Sequence, residues 1–135
     1  MSALLDTSVL VRYLTDDVPA LADRAERIIE GADELQVTPV VLAETAHVLR
    51  RLYHVPREAI VDNLVEFVRR DNIVVPGLDK GYVVVGLFQC RPSGRVSIPD
   101  ALVWATARSL GVRTIYAFDA RFPAEGVEVR QASAE

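Results

Sequence analysis

The sequence predicts an α/β fold in which a mainly parallel central sheet of four to five short strands is flanked by helices in three layers. Short runs of β-branched and other apolar residues alternate along the chain with longer segments in which apolar residues recur at helical spacing. Proline or a capping residue opens most of the helical segments, and turn sequences separate them from the strands. This alternation is typical of parallel sheets that helices cover.

The strands are expected where apolar runs are short and bounded by turn signals. Residues 2–5 are interpreted as a short buried strand, and the β-branched run Ile73-Val74-Val75 as another. Further strands are expected at residues 35–38, 114–118 and 127–129.

The helices are expected at residues 7–14, 19–31, 39–53, 78–90 and 99–110, with one more beginning at Pro56. Gly111 suits the C-terminal cap of the last helix. In the helix that begins at Pro56, apolar residues at helical spacing predict one buried stripe: Ile60, Leu64, Phe67 and Val68.

Size and composition limit the classes of protein to which the chain can belong. Its 135 residues predict a single domain over residues 1–135, and half of them are apolar, which is enough for a buried core. The net charge of −4, from 15 basic and 19 acidic residues, argues against a protein that binds nucleic acid by counterion release alone. It argues less against a nuclease whose acids hold metal ions.

The same sequence predicts a soluble, cytoplasmic protein with no membrane contact. No apolar run approaches the ~20 residues that cross a bilayer, and no basic region precedes Leu4 and Leu5 as it would in a signal peptide. Cys90 is the single cysteine, and it therefore cannot form an internal disulfide, which fits a reducing compartment.

Two aspartates follow predicted strands directly, at the end of the strand where functional groups gather in α/β sheets. Asp6 follows the first strand, and Asp119 follows the strand at residues 114–118. Each also has a purely structural explanation, because aspartate is favoured at helix and turn starts. Asp100 has the strongest structural explanation, since Ser97 and Asp100 have the spacing of a capping box.

Glu44 is predicted to lie within a helix. Of the residues three and four positions away, Val40, Val41 and Val48 are apolar and only His47 is polar. We therefore expect its carboxylate to point toward a largely buried face, where it would need a cation or hydrogen-bonding partners.

The four acids together predict a metal site. Converging carboxylates repel one another unless cations lie between them, and oxygen ligands suit Mg²⁺ or Mn²⁺ better than zinc. One or two such ions can activate a water for attack on a phosphodiester. The expected catalytic and metal-binding residues are Asp6, Glu44, Asp100 and Asp119.

Four segments of the chain resemble motifs of the PIN-domain family, and in particular of the VapC-like toxins of toxin–antitoxin systems. These segments occur in the order and spacing of the family and span nearly the whole chain: LLDTSVLVRYL, VLAETAHVLRR, PDALVWATARSLG and TIYAFDARF. The resemblance implies a PIN-like fold and a Mg²⁺- or Mn²⁺-dependent endoribonuclease, usually homodimeric and held inactive by a cognate antitoxin protein.

The resemblance also implies a role for individual residues. The four acids match the metal-binding acids of the family, and Ser8 matches a small polar residue that supports the site through hydrogen bonds. We expect Arg121, close to Asp119, to contact the RNA substrate. Two positions depart from the common pattern: Ser97 stands where some members have a further acid, and Trp104 where a small residue is more frequent.

The alternative functions are those of a PIN-like binding protein, a stand-alone RNA-processing nuclease and a phosphatase of the haloacid dehalogenase type. A PIN-like protein that only binds partners has no reason to keep four clustered acids, and a stand-alone RNA-processing nuclease remains an alternative to a toxin. A phosphatase of the haloacid dehalogenase type needs Asp-x-Asp, whereas here Ser8 follows Asp6 and Thr7. The RNA target and the number of metal ions are not predicted.

Overall fold

The computed structural model describes residues 2–31 and 33–131. The chain divides into two compact units, Met1–Pro76 and Gly77–Glu135. Helices and short parallel strands alternate in the first unit, and two helices precede a pair of parallel strands in the second. The predicted α/β class is therefore confirmed.

The first unit contains a three-stranded parallel sheet and four helices. The strands are β1 (Ser2–Leu4), β2 (Glu34–Gln36) and β3 (Ile73–Val74), in the order β1-β2-β3. Ala3 pairs with Leu35, and Leu35 pairs with Ile73. The helices are α1 (Thr7–Leu14), α2 (Pro19–Ile29), α3 (Pro39–Arg51) and α4 (Arg57–Val68).

The second unit contains α5 (Lys80–Gln89), α6 (Ile98–Leu110), β4 (Thr114–Tyr116) and β5 (Glu128–Arg130). The two strands pair in parallel, with Ile115 opposite Val129. The described residues thus contain the five predicted strands. They pair as one group of three and one group of two, one group in each unit.

The prediction that residues 2–5 form a buried strand is wrong for most of that segment. Ser2, Ala3 and Leu4 are all exposed, Leu4 at 68%, and Leu5 beyond the strand is the buried residue. Among the described residues, β1 lies at the edge of its sheet and pairs with β2, so that fewer neighbouring side chains cover it than cover a central strand. A run of apolar residues in the sequence does not distinguish a central strand from an edge strand.

Local sequence signals account for the ends of several helices. The Thr38 hydroxyl accepts a hydrogen bond from the Val41 amide at the start of α3, and Pro39 occupies the first turn. Gly111 ends α6 in the left-handed conformation at φ 72°, as predicted. The predicted stripe on α4 is also confirmed, because all four of its residues are buried.

Close packing of α5 against α6 depends on Gly86. A Cβ atom at this position would lie 3.0 Å from the backbone oxygen of Ala101 and 3.4 Å from the Trp104 ring. Trp104 is 1% exposed, and its indole N–H donates to the backbone oxygen of Glu125 at 2.8 Å. The unusual Trp104 is therefore a packing residue of the second unit.

A hydrogen-bonded cluster holds the α1–α2 connection to the end of α3. Asp17 accepts hydrogen bonds from the Tyr53 hydroxyl at 2.6 Å, from the Arg12 guanidinium at 2.9 and 3.0 Å, and from the Thr15 hydroxyl at 3.0 Å. These donors, led by Tyr53, lower the pKa of Asp17 to about 2. Asp17 is thus an acid with a structural role.

Within residues 2–31 and 33–131, no helix combines the length and apolar character needed to cross a membrane.

Candidate functional site

Asp6 lies one residue beyond Leu5 and is the N-cap of α1. Its Oδ2 atom accepts two hydrogen bonds from Ser8, one from the hydroxyl at 2.7 Å and one from the backbone N–H at 3.2 Å. These bonds, the hydroxyl bond first, lower the pKa of the exposed Asp6 carboxyl below its usual value. Ser8 therefore holds Asp6 in a fixed orientation and in its charged form.

Glu44 lies in the second turn of α3 and is bound from α1. The Thr7 hydroxyl donates a 2.6 Å hydrogen bond to Glu44 Oε1, between residues 37 positions apart in the chain. Thr7 is buried at 8% exposure, whereas Glu44 is exposed. The bond joins the start of α1 to the side of α3.

The expectation that Glu44 points toward a largely buried face is wrong. Val40 is 73% exposed, His47 is exposed, and Val41 and Val48 are half-buried. The sequence pattern failed here because three apolar neighbours on a helix do not by themselves cover a residue. The Glu44 carboxylate is therefore accessible from solvent.

The first unit thus links two of the four predicted acids through a single residue, Thr7. Asp6 precedes Thr7 in the chain, and Thr7 holds Glu44. The consecutive hydroxyls of Thr7 and Ser8 serve different carboxylates, Thr7 that of Glu44 and Ser8 that of Asp6. Two consecutive residues, Thr7 and Ser8, therefore orient two exposed acids.

In the second unit, Asp100 lies in the first turn of α6 and is half-buried. The Ser97 hydroxyl accepts a hydrogen bond from the Asp100 backbone N–H at 3.2 Å. The predicted cap is therefore present and uses the backbone of Asp100. Because Ser97 acts as the helix cap, the departure from the family pattern at this position has a structural explanation.

Asp119 follows β4 and forms an ion pair with Arg121. Asp119 Oδ1 accepts from the Arg121 backbone N–H at 2.9 Å and from Nε at 3.1 Å, and Oδ2 accepts from Nη2 at 3.0 Å. The guanidinium, then the backbone N–H, lowers the pKa of the Asp119 carboxyl. The pKa of Arg121 is raised, first by Asp119 and to a smaller extent by the charge of Asp100. The guanidinium of Arg121 is thus bound to Asp119 and lies within the electrostatic influence of Asp100.

Among the residues that the structure describes, no three His, Cys, Asp or Glu side chains lie together as a metal-binding group. Asp6 and Glu44 are linked through Thr7 in the first unit, and Asp100 and Asp119 share the field of Arg121 in the second. The structure thus places two of the four predicted acids in each unit.

The donor chemistry of these pairs fits Mg²⁺ or Mn²⁺. All four side chains supply carboxylate oxygens, the hard ligands that these ions prefer. A carboxylate has about four lone-pair sites, and one hydrogen bond from Thr7 therefore leaves Glu44 able to bind a cation. Asp119 fits less directly, because a cation would compete with Arg121 for its oxygens.

Two features of the site were not found from the sequence. Thr7 was not assigned a role, and nothing in its local sequence pairs it with Glu44, a residue of another helix. The ion pair of Arg121 with Asp119 was not predicted either, although the spacing of two residues in a turn was a usable signal.

The comparisons with known proteins identify one family. The model of the PIN domain matches residues 3–125, nearly the whole chain. No curated protein matches the chain. The family match agrees with the α/β architecture and with the resemblance noted in the sequence motifs, and PIN domains are typically nucleases that generally bind divalent metals. The chain belongs to the PIN-domain family.

Proposed function

We propose that this protein is a Mg²⁺- or Mn²⁺-dependent endoribonuclease that cleaves RNA phosphodiester bonds with an activated water. The observation that carries the proposal is a pair of exposed carboxylates, Asp6 and Glu44. The Ser8 hydroxyl orients Asp6, and the hydroxyl of the preceding residue, Thr7, orients Glu44. Such oriented and accessible carboxylate oxygens are suited to metal binding, and Glu44 has no capping role that would explain its orientation. Membership of a family of nucleases supports the same conclusion.

We assign metal binding to all four acids, Asp6, Glu44, Asp100 and Asp119, in a single nuclease domain that binds one or two ions. When bound, a divalent ion supplies the positive charge that activates water and stabilises the charge developing on the phosphate. Ser8 orients Asp6, and Thr7 orients Glu44. The half-buried position of Asp100 limits its freedom to move, and this favours a defined ligand geometry.

Arg121 is proposed as an RNA contact. Its side chain is 62% exposed. The planar guanidinium can form two parallel hydrogen bonds to a phosphate, as it does to the Asp119 carboxylate. An exposed ion pair of this kind is weak enough to exchange one anion for another. A cation bound at Asp119 would repel the guanidinium and make it available to the substrate.

Removal of the metal tests the proposed activity. Purified protein is expected to cut RNA in the presence of Mg²⁺ or Mn²⁺ and to stop when a chelator is added, because the acids alone cannot stabilise the charge on the phosphate. End-group analysis should find a 5′-phosphate and a 3′-hydroxyl. Cleavage that persists after thorough chelation, or a cyclic phosphate product, would contradict the proposal.

Within this function, we propose that the protein is the toxin of a toxin–antitoxin pair and forms a homodimer in the cytoplasm. The support is the resemblance of its four motifs to VapC-like toxins. An antitoxin could present Arg or Lys to the exposed carboxylates, as Arg121 does to Asp119 within the chain.

Growth of cells that express the protein tests the toxin role. Expression alone is expected to slow growth, and co-expression of the neighbouring gene is expected to restore it, because the antitoxin would cover the acids. Protein that cuts RNA in vitro without affecting growth would indicate a stand-alone RNA-processing nuclease. Protein that binds partners but never cuts RNA would indicate a non-catalytic PIN-like binding protein.

A further inference from the structure

We infer that Thr7 is a positioning residue that holds Glu44 in its metal-binding conformation. The inference rests on the proposed function, because it concerns a residue through which that function would act. Its structural basis is the 2.6 Å hydrogen bond from the Thr7 hydroxyl to Glu44 Oε1. Thr7 would touch neither metal nor substrate and would act through Glu44 alone.

The two partners of this bond differ in mobility. Thr7 is buried, is β-branched and forms the first residue of α1, so its hydroxyl position is set by the backbone and by packing. Glu44 is exposed and has three rotatable side-chain bonds. The hydrogen bond therefore restrains the mobile Glu44 side chain at a position set by the buried Thr7.

Ordering Glu44 in advance has a consequence for metal affinity. A free glutamate side chain loses rotamer freedom when a cation binds it, and that entropy loss weakens binding. A glutamate already held by Thr7 has lost most of that freedom. Residues that orient metal ligands in this way typically change metal affinity or activity by about 10- to 100-fold when they are mutated.

Thr45 provides a matched control in the same region. It follows Glu44 in α3, is fully buried, and its hydroxyl has no hydrogen-bond partner among the described residues. Thr45→Val and Thr7→Val each remove one buried hydroxyl and keep a similar shape. They differ in whether the hydroxyl contacts Glu44.

The experiment measures Mn²⁺ and Mg²⁺ binding by titration calorimetry and the Mg²⁺ concentration that gives half-maximal RNA cleavage. Thr7→Val is expected to weaken metal binding by about 10-fold or more and to raise the Mg²⁺ requirement by a similar factor. Cleavage should recover largely at saturating Mg²⁺, because the ligand itself is still present. Thr7→Ser, which keeps the hydroxyl, should bind metal nearly as tightly as the unmodified protein, and so should Thr45→Val.

A double-mutant comparison separates positioning from packing. In a Glu44→Ala background, Thr7→Val is expected to have no further effect on metal affinity, because its partner is gone. Both single variants of Thr7 should melt within about 5 °C of the unmodified protein in chelator. An equal loss of metal affinity in Thr7→Ser, or a further loss in the Glu44→Ala background, would overturn the inference.

Failure of the inference can be distinguished from failure of the proposed function. If the unmodified protein binds metal, Glu44→Ala weakens that binding and Thr7→Val does not, Thr7 has no positioning role and the nuclease proposal stands. If the unmodified protein binds neither Mn²⁺ nor Mg²⁺, the proposed function is wrong, and the role of Thr7 is wrong with it.

Discussion

Replacement of Asp6, Glu44 or Asp119 by its amide is expected to reduce RNA cleavage by orders of magnitude and to leave the metal-free protein folded. Each change keeps the size of the side chain and removes the negative charge that a cation requires. Asparagine caps helices about as well as aspartate, and the cap that Asp6 provides to α1 should therefore persist. The measurements are cleavage in Mg²⁺ and melting temperature in chelator.

Most of the four acids also have a structural role, so stability and cleavage must both be measured for each variant. Asp6 caps α1, Asp119 accepts the Arg121 backbone N–H in a turn, and the Asp100 backbone completes the cap of α6. Glu44 has no capping role and is bound only by its contact with Thr7 among the hydrogen bonds described. Glu44→Gln is therefore the variant whose effect on cleavage is hardest to explain by lost stability.

Asp17→Asn is the matched control for these variants. Asp17 is also an aspartate in the first unit, but its hydrogen bonds serve the fold. Because its folded-state pKa of about 2 lies below the ordinary value of 3.8, its charge stabilises the fold above pH 3.8, and that contribution is lost as the pH falls toward 2. The variant should melt earlier at neutral pH and still cut RNA. If the site variants behave like Asp17→Asn, the assigned acids are scaffold.

Replacement of Trp104 by alanine is expected to destabilise the protein by about 3–5 kcal/mol. The indole is almost fully buried, lies edge-on against Tyr82 at 6.1 Å and has the Arg108 guanidinium 5.7 Å from its centre. Its removal would leave a cavity beside Gly86, a residue of α5 that packs closely against α6. Urea unfolding followed by circular dichroism measures the loss.

Two variants of α6 serve as controls for this prediction. Trp104→Phe keeps an aromatic ring but loses the hydrogen bond to Glu125, so it should cost less than alanine. Val103→Ala changes the neighbouring residue, which is 50% exposed, and should change stability by about 1 kcal/mol or less. A Trp104→Ala protein as stable as Val103→Ala would show that the indole is not part of the core.

The order of strands and helices was predictable because the signals that decide it are local. Pro39 and Gly111 act on residues within one turn of themselves, and the structure uses both as expected. The α4 stripe follows from helical periodicity, which also involves only neighbours in the chain. Motif spacing along the whole chain was enough to indicate the PIN-domain family, which the family match then confirmed.

Exposure and contacts between distant residues required the tertiary structure. Leu4 is exposed because β1 lies at the edge of its sheet. Glu44 is exposed on α3, although most of its neighbours three and four positions away are apolar. The bond from Thr7 to Glu44 crosses 37 positions, and the indole of Trp104 reaches Glu125 across 21. The sequence by itself determined the α/β class, the family and the candidate acids, because these depend on residue types and their spacing. Only the tertiary structure decided which side chains are accessible and which hydroxyl holds Glu44, because both depend on how distant segments pack.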